Sequence, residues 1–195
     1  MTVPLTHAAE GLERRAFTVK DVLRMVEIGV LGHDERFELI GGEIVPMSPR
    51  GIRHEVVKQW LNTYLVKHLP DDLHTIPETT FYLSDDTFIE PDFVVYPAGR
   101  LADLSPENCL LAIEIADSSL RYDLGRKAQL YAEFGIREMW VIDAKTRSCR
   151  IHREPRDGKY AQVTDLPAGT VLKPLAIPAI GIDLAAIDSS PLESQ

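Results

Sequence analysis

Three residues stand where core rules would not put them: Asp92, Glu114 and Lys127. Glu114 interrupts an otherwise apolar run, Leu-Leu-Ala-Ile-Glu-Ile-Ala at 110–116, the pattern of a strand covered on both faces. A carboxylate in such a strand needs a cation, a metal ion or a proton. Asp92 follows Pro91 and precedes the buried-looking run Phe93 to Tyr96. Proline suits the first residue of a strand, so Asp92 belongs near that strand's beginning. Lys127 emerges from counting along a helix at about 100° per residue from Leu120. Leu124 then falls at about 40°, Tyr131 at about 20°, Phe134 at about 320° and Lys127 at about 340°, inside the apolar stripe. A lysine there is costly unless it is paired with a carboxylate or snorkels out to water.

Taken singly, each of the three is accounted for by a salt bridge, a strand-end carboxylate or snorkelling. Together, two acids on consecutive strands and a lysine on the next helix's inner face can converge on one point. Two carboxylates plus water are what Mg²⁺ takes, since it keeps octahedral oxygen coordination with few protein ligands. A lysine beside the ion can orient or deprotonate a water, or neutralise charge developing on a phosphate. The chemistry this constellation suits is phosphodiester hydrolysis.

The flanking sequence supplies elements to position these groups. Thr18, with Asp21 three residues on, caps a short helix in which Val19, Val22, Leu23 and Val26 recur at helical spacing. Arg-Phe-Glu-Leu-Ile and Glu-Ile-Val-Pro around Gly41-Gly42 predict a hairpin. From His54 to about His68, Val57, Trp60, Leu61, Tyr64 and Leu65 mark an amphipathic helix. Three strands are then expected, in residues 74–83, 88–96 and 109–116. A second long helix follows from about Leu120 to Phe134, ended by Gly135, and then a strand in Glu138–Asp143. A hairpin around Arg156-Asp157-Gly158 leads into a β tail reaching Ile187. The order is α+β around one mixed sheet: a helix, three strands, a helix and a strand, with an N-terminal β-hairpin and a C-terminal β extension. Residues 1–15 are expected to be a flexible tail, 16–188 a single domain and 189–195 a disordered tail.

Composition bounds the function. The chain has 195 residues, 45% hydrophobic and 26% charged, a single-domain size and a globular balance. The 21 Lys and Arg against 30 Asp and Glu give −9, so no overall basic surface serves a nucleic acid, and any such partner would need a local patch. Arg50, Arg53, Arg121 and Arg126 are the basic candidates near the two long helices. No apolar stretch is long enough to span a membrane, and the N-terminus does not read as a secretory signal. Cys109 and Cys149 form no CxxC, which fits a cytoplasmic chain without a zinc site. There is no GxSxG, GxxxxGK[ST] or HExxH.

The ordered set Glu38-Leu-Ile-Gly-Gly-Glu-Ile-Val-Pro-Met-Ser-Pro49, His54 on a helix, Pro91-Asp92, Glu114 and Tyr122-Asp-Leu-Gly-Arg-Lys127 through Gly135-Ile-Arg-Glu-Met-Trp-Val-Ile-Asp143 closely resembles the Uma2 (DUF820) family. That family falls within the PD-(D/E)xK restriction-endonuclease-like superfamily, and the likeness spans about residues 17 to 180. It implies a restriction-endonuclease-like core of αβββαβ order and a Mg²⁺-dependent endonuclease, with Mn²⁺ as substitute. Asp92 and Glu114 match the two metal-binding acids, with the Ile115 carbonyl as a third ligand. The usual ExK lysine position is Ala116, which cannot serve, and Lys127 matches a lysine moved to the following helix. Glu38 and His54 match positions common in the family without an assigned role. Family members commonly read Ser-Pro-Ser-Thr after the strand glutamate, where this chain reads Ala116-Asp117-Ser118-Ser119, so Asp117 adds a negative charge near the site.

The resemblance implies DNA as substrate and a possible homodimer as the working unit. Two alternatives stand beside it: a catalytically inactive interaction module, motivated by the net charge and Asp117, and a metal-dependent hydrolase of RNA or small phosphate compounds.

Overall fold

The computed structural model describes residues 5–7 and 13–187. Along the chain run β1 (Leu5–His7), β2 (Glu13–Arg15), α1 (Val19–Glu27), β3 (Phe37–Ile40), β4 (Glu43–Pro46) and α2 (Ile52–His68). They are followed by β5 (Leu73–Pro77), β6 (Phe81–Ser84), β7 (Thr87–Ile89), β8 (Phe93–Pro97) and β9 (Leu111–Ala116). A composite helix comes next: α3 (Leu120–Tyr122), a π turn (Asp123–Lys127) and α4 (Ala128–Glu133). The order closes with β10 (Glu138–Asp143), β11 (Cys149–Arg156) and β12 (Lys159–Leu166). This is the mixed α+β architecture expected of a restriction-endonuclease-like chain.

Internal contacts divide the chain into two compact units, Met1–Ser48 with Thr80–Glu90, and Pro49–Thr79 with Pro91–Gln195. Within the span read as a tail, β1 and β2 form an antiparallel ladder from Leu5↔Arg15 to His7↔Glu13. The remainder of that tail, and the whole of 189–195, lie outside the described residues.

In the first unit, Thr18 and Asp21 make the reciprocal cap of α1: Asp21 N–H donates to Thr18 Oγ1 at 3.1 Å and Thr18 N–H to Asp21 Oδ2 at 2.9 Å. Those bonds hold the Asp21 carboxyl below its ordinary value. The β3–β4 hairpin turns on Gly41 and Gly42, whose φ of 56° and 79° are the left-handed pair that a two-residue hairpin needs. The sheet order is β4-β3-β7-β6.

In the second unit six strands form the sheet β12-β11-β10-β9-β8-β5. β9 and β10 are parallel and joined by the composite helix, while the other neighbours are antiparallel. Phe93, Val95, Leu111, Ile113, Ile115, Trp140 and Ile142 pack with Val57, Leu61 and Leu65 of α2 in one apolar core. The alternating residues of the same strands, Val94, Ala112, Glu114, Met139 and Val141, are buried as well, on the opposite face. Both faces of β9 are therefore covered, as its apolar run implied.

Three expectations change. The runs 74–83 and 88–96 are each two strands in different sheets: β5 and β6, then β7 and β8. The breaks fall at Glu78, with a left-handed φ of 53°, and at Pro91, which has no N–H for a ladder. The long helix is not uniform, because Ala128 N–H reaches back to the Asp123 carbonyl and opens a π turn. The expected β tail past β12 holds, among described residues, the Leu172↔Ile182 bridge and a 3₁₀ turn at Leu184–Ala186. Its Leu172, Ile177, Ile180, Ile182, Leu184 and Ile187 join the α2 core. Glu138, fully buried, fastens this segment by accepting Leu175 N–H at 2.6 Å while Arg153 Nε donates to it at 2.8 Å.

Candidate functional site

The site assembles in the second unit from the start of β8, the end of β9, the first turn of α2 and the π turn. Phe93 pairs with Ile113 at the start of β8, and continuing that register sets Asp92 opposite Glu114 and Pro91 opposite Ile115. Asp92 and Glu114 are 4% and 3% exposed.

The Pro-Asp pair ends this ladder in a specific way. Ile115 N–H donates to Asp92 Oδ2 at 2.7 Å, so the carboxylate takes the place of a backbone acceptor. In an antiparallel hydrogen-bonded position, N–H and C=O of one residue point the same way. The Ile115 carbonyl therefore faces the same edge, opposite a proline that has no N–H to give it. The other Asp92 oxygen, Oδ1, lies 2.8 Å from His54 Nε2 and 3.9 Å from Arg50 Nε. His54 is buried in the first turn of α2, and its Nδ1 sits 3.2 Å from Glu55 Oε1.

Glu114 is held from the helix. Lys127 Nζ donates to its Oε1 at 3.0 Å and Tyr131 OH to the same oxygen at 2.7 Å. The seam that faces the sheet is Asp123, Lys127 and Tyr131, all buried. Asp123 accepts from Ser119 Oγ at 2.5 Å. The π turn lies between Asp123 and Lys127, so it governs where the ammonium arrives.

Around Asp92 the charged side chains close into a ring. Arg50 NH1 lies 2.5 Å from Glu78 Oε1, Lys58 Nζ 2.5 Å from the same oxygen, and Lys58 Nζ 2.6 Å from Glu55 Oε2. Burial works against the Lys58 charge, but the bonds to Glu55 and Glu78 outweigh it and hold its ammonium above the ordinary value. Burial likewise opposes the Glu55 charge, and Lys58 with His54 outweighs it, so that carboxyl is held low. Glu78 N–H also donates to the Asp92 carbonyl at 3.3 Å.

Asp117 lies against the N-terminus of α2. A Cβ on Gly51 would come within 2.4 Å of its Oδ2, so glycine makes room for this carboxylate. Arg53 NH1 and Lys145 Nζ each stand 3.9 Å from Asp117 Oδ1. Glu38 belongs to the other unit, where it is buried on β3 and accepts Glu90 N–H at 3.1 Å. Of the predicted residues, then, Asp92, Glu114, Ile115, Lys127 and His54 meet around the β8–β9 edge.

Sequence reading missed Glu78, Lys58, Glu55 and Tyr131. Tyr131 had a signal, since it shares the helical seam with Lys127. Glu78 had none, because a left-handed glutamate reads locally like any loop acid. Among the described residues no group of three or more His, Cys, Asp or Glu side chains is placed to hold a metal ion. The donors that the resemblance names, two carboxylates and a carbonyl, would be a hard oxygen set that fits Mg²⁺ and would be poor for zinc.

A family model described as "Putative restriction endonuclease", Uma2, matches residues 19–186. The chain belongs to the Uma2 family. A crystal structure from Anabaena variabilis, described as "a putative nuclease belonging to DUF820", matches at TM-score 0.65 and 17% identity, covering 88% of this chain and 97% of that one. At that identity the likeness shows the fold. Comparison with curated proteins finds no match. As a Uma2 chain it carries no helix, among the described residues, long and apolar enough to cross a membrane.

Proposed function

We propose that this Uma2 chain is a Mg²⁺-dependent endonuclease that hydrolyses DNA phosphodiester bonds. The observation that carries the reading is the opposition of Asp92 and Glu114 at the open end of the β8–β9 ladder, with Lys127 bonded to Glu114. Asp92, Glu114 and the Ile115 carbonyl would hold the ion, leaving the rest of its shell to water and substrate. Bound there, a divalent ion supplies Lewis-acid stabilisation of phosphate charge and a more acidic water.

The chain's own groups set up the rest. Ile115 N–H and His54 fix the Asp92 carboxylate in one orientation while leaving oxygen lone pairs to spare. Tyr131 and Lys127 both donate to Glu114 Oε1 and fix that carboxylate from the helix. Lys127, anchored through Glu114 and nearly excluded from solvent, would place its ammonium beside that carboxylate to orient the attacking water and to stabilise negative charge in the transition state. His54 and Asp117 remain accessory: His54 orients Asp92, and Asp117 brings a negative charge beside the α2 N-terminus.

The test is incubation with supercoiled plasmid and with linear duplex in Mg²⁺ or Mn²⁺. Nicking by the wild type, abolished by EDTA and by Glu114→Gln, is expected. Intact plasmid under both ions, from folded protein, would turn the reading to the inactive interaction module, which the net charge of −9 favours. Cleavage of RNA or nucleotides with DNA untouched would favour the third class.

A further inference from the structure

We propose that the β10–β11 turn is a phosphate subsite for the DNA backbone flanking the scissile bond, with Arg147 as its anchor and Lys145 on the same turn; this rests on the endonuclease reading above. Two features of Arg147 are unfavourable, and nothing in the fold offsets either. Its backbone is left-handed, at φ 59°, a conformation that favours glycine or asparagine over a long side chain. Its NH1 is buried and has no hydrogen-bond partner among the described residues.

The side chain is a cation without an anion. Burial lowers the pKa of the guanidinium, and no carboxylate opposes that shift. The residue as a whole is half-buried, so the group is seated in the protein with part of its fork open to solvent. Desolvating a charge is costly unless it is paired. A guanidinium presents its N–H donors in a rigid planar fork that matches phosphate oxygens two at a time, so a phosphate supplies both the missing charge and the missing acceptors. The turn holds the arginine ready for it. Arg147 N–H donates to the Asp143 carbonyl at 2.9 Å, Asp143 N–H to the Ser148 carbonyl at 3.0 Å, and Lys145 N–H to Asp143 Oδ1 at 2.8 Å. A left-handed residue other than glycine persists only where its surroundings impose it, and such residues cluster at functional sites.

The position is that of a flanking phosphate. β9 and β10 run parallel with Asp143 opposite Ala116, so the turn leaves the sheet at the edge where Glu114 and Ile115 stand. Ala144 N–H donates to the Ala116 carbonyl at 2.8 Å and ties the turn to that edge. Two residues of strand separate Ala116 from Glu114, about 7 Å, the rise of about two base steps. Lys145 Nζ and Arg53 NH1 each stand 3.9 Å from Asp117 Oδ1, too far for a hydrogen bond, and both side chains are more than half exposed. The turn thus adds local positive charge where a chain of net −9 would meet DNA.

The experiment measures binding of a short fluorescein-labelled DNA duplex by anisotropy, in EDTA so that nothing is cut, across a salt series, with urea unfolding of each variant. Arg147→Gly removes the guanidinium and relieves the left-handed backbone together. It is expected to weaken binding about tenfold, to lower the slope of log K against log salt by about one, and to leave the urea midpoint unchanged or higher. Arg100→Ala removes the same charge from a side chain 83% exposed, past the end of β8 away from Asp92, and leaves affinity and slope as in the wild type. Should Arg147→Gly not fold, Arg147→Asn, which tolerates the same backbone, carries the comparison. Unchanged affinity and slope in the folded Arg147 variant, or equal losses in it and in Arg100→Ala, overturn the subsite; so does a lowered urea midpoint with binding intact, which makes Arg147 structural. Plasmid nicking by the wild type then leaves the endonuclease reading standing. DNA held through Arg147 but never cut in Mg²⁺ or Mn²⁺ upholds the subsite and overturns that reading, and a wild type that neither binds nor cuts overturns both.

Discussion

Asp92 accepts the Ile115 N–H with one carboxylate oxygen and meets His54 Nε2 with the other, 2.7 Å and 2.8 Å away. A buried acid is thereby used as part of a strand's hydrogen-bond pattern. This makes the Pro-Asp dipeptide legible as structure: proline ends the ladder and the aspartate side chain takes over the exposed N–H. His54→Ala removes one of those partners, and is expected to destabilise the fold by about 1–3 kcal/mol, read by urea unfolding. His54→Asn should recover part of that loss.

Pro91 supplies the second prediction. Pro91→Ala places an N–H opposite the Ile115 carbonyl, where the ladder would accept it. Stability should change by less than about 1 kcal/mol, while Mn²⁺ affinity by calorimetry should fall several-fold, because the carbonyl acquires a competing donor. Unchanged Mn²⁺ affinity would remove Ile115 from the ligand set.

Lys127 is not a free catalytic lysine waiting in a cleft. It and Glu114 are both 5% exposed in their side chains and 3.0 Å apart. Lys127→Ala leaves that carboxylate buried without its cation, at an expected cost of about 3–5 kcal/mol. Activity lost in this variant would thus be ambiguous. In a double-mutant cycle, Glu114→Gln with Lys127→Met should be less damaging than the sum of the singles by about 0.5–3 kcal/mol.

The sequence made much of this site readable, for identifiable reasons. Glu114 and Lys127 stood out because charge inside an apolar periodicity is expensive, and the structure pairs them with each other. Gly41-Gly42 and Asp157-Gly158 announced their hairpins through turn chemistry, the latter joining Arg156 to Lys159. The split of two expected strands was hidden, since periodicity runs through Glu78 and Pro91 without changing phase. The π turn was hidden too, because a wheel at constant pitch cannot show an added residue. Glu55 and Lys58 form a local i,i+3 pair on α2, but their link to Glu78 spans twenty residues, and local pattern carries no trace of that contact.

His152 gives a pH prediction away from the site. It is buried on β11, its Nε2 has no hydrogen-bond partner among the described residues, and burial followed by the Arg150 charge lowers its pKa from 6.5 to about 4. The folded state therefore binds fewer protons than the unfolded one between those values. Stability is full above pH 6.5 and is lost as pH falls towards 4, by about 1–3 kcal/mol. Urea midpoints across that range should slope downward into acid, and His152→Leu should flatten the slope.

The measurement closest to the central claim is divalent-ion binding by calorimetry, wild type against Asp92→Asn, with circular dichroism confirming that both are folded. Mg²⁺ and Mn²⁺ should each bind the wild type at one site per chain, and that binding should vanish in Asp92→Asn. Equal binding by the two proteins, or none by the folded wild type, would contradict a metal site at the β8–β9 edge.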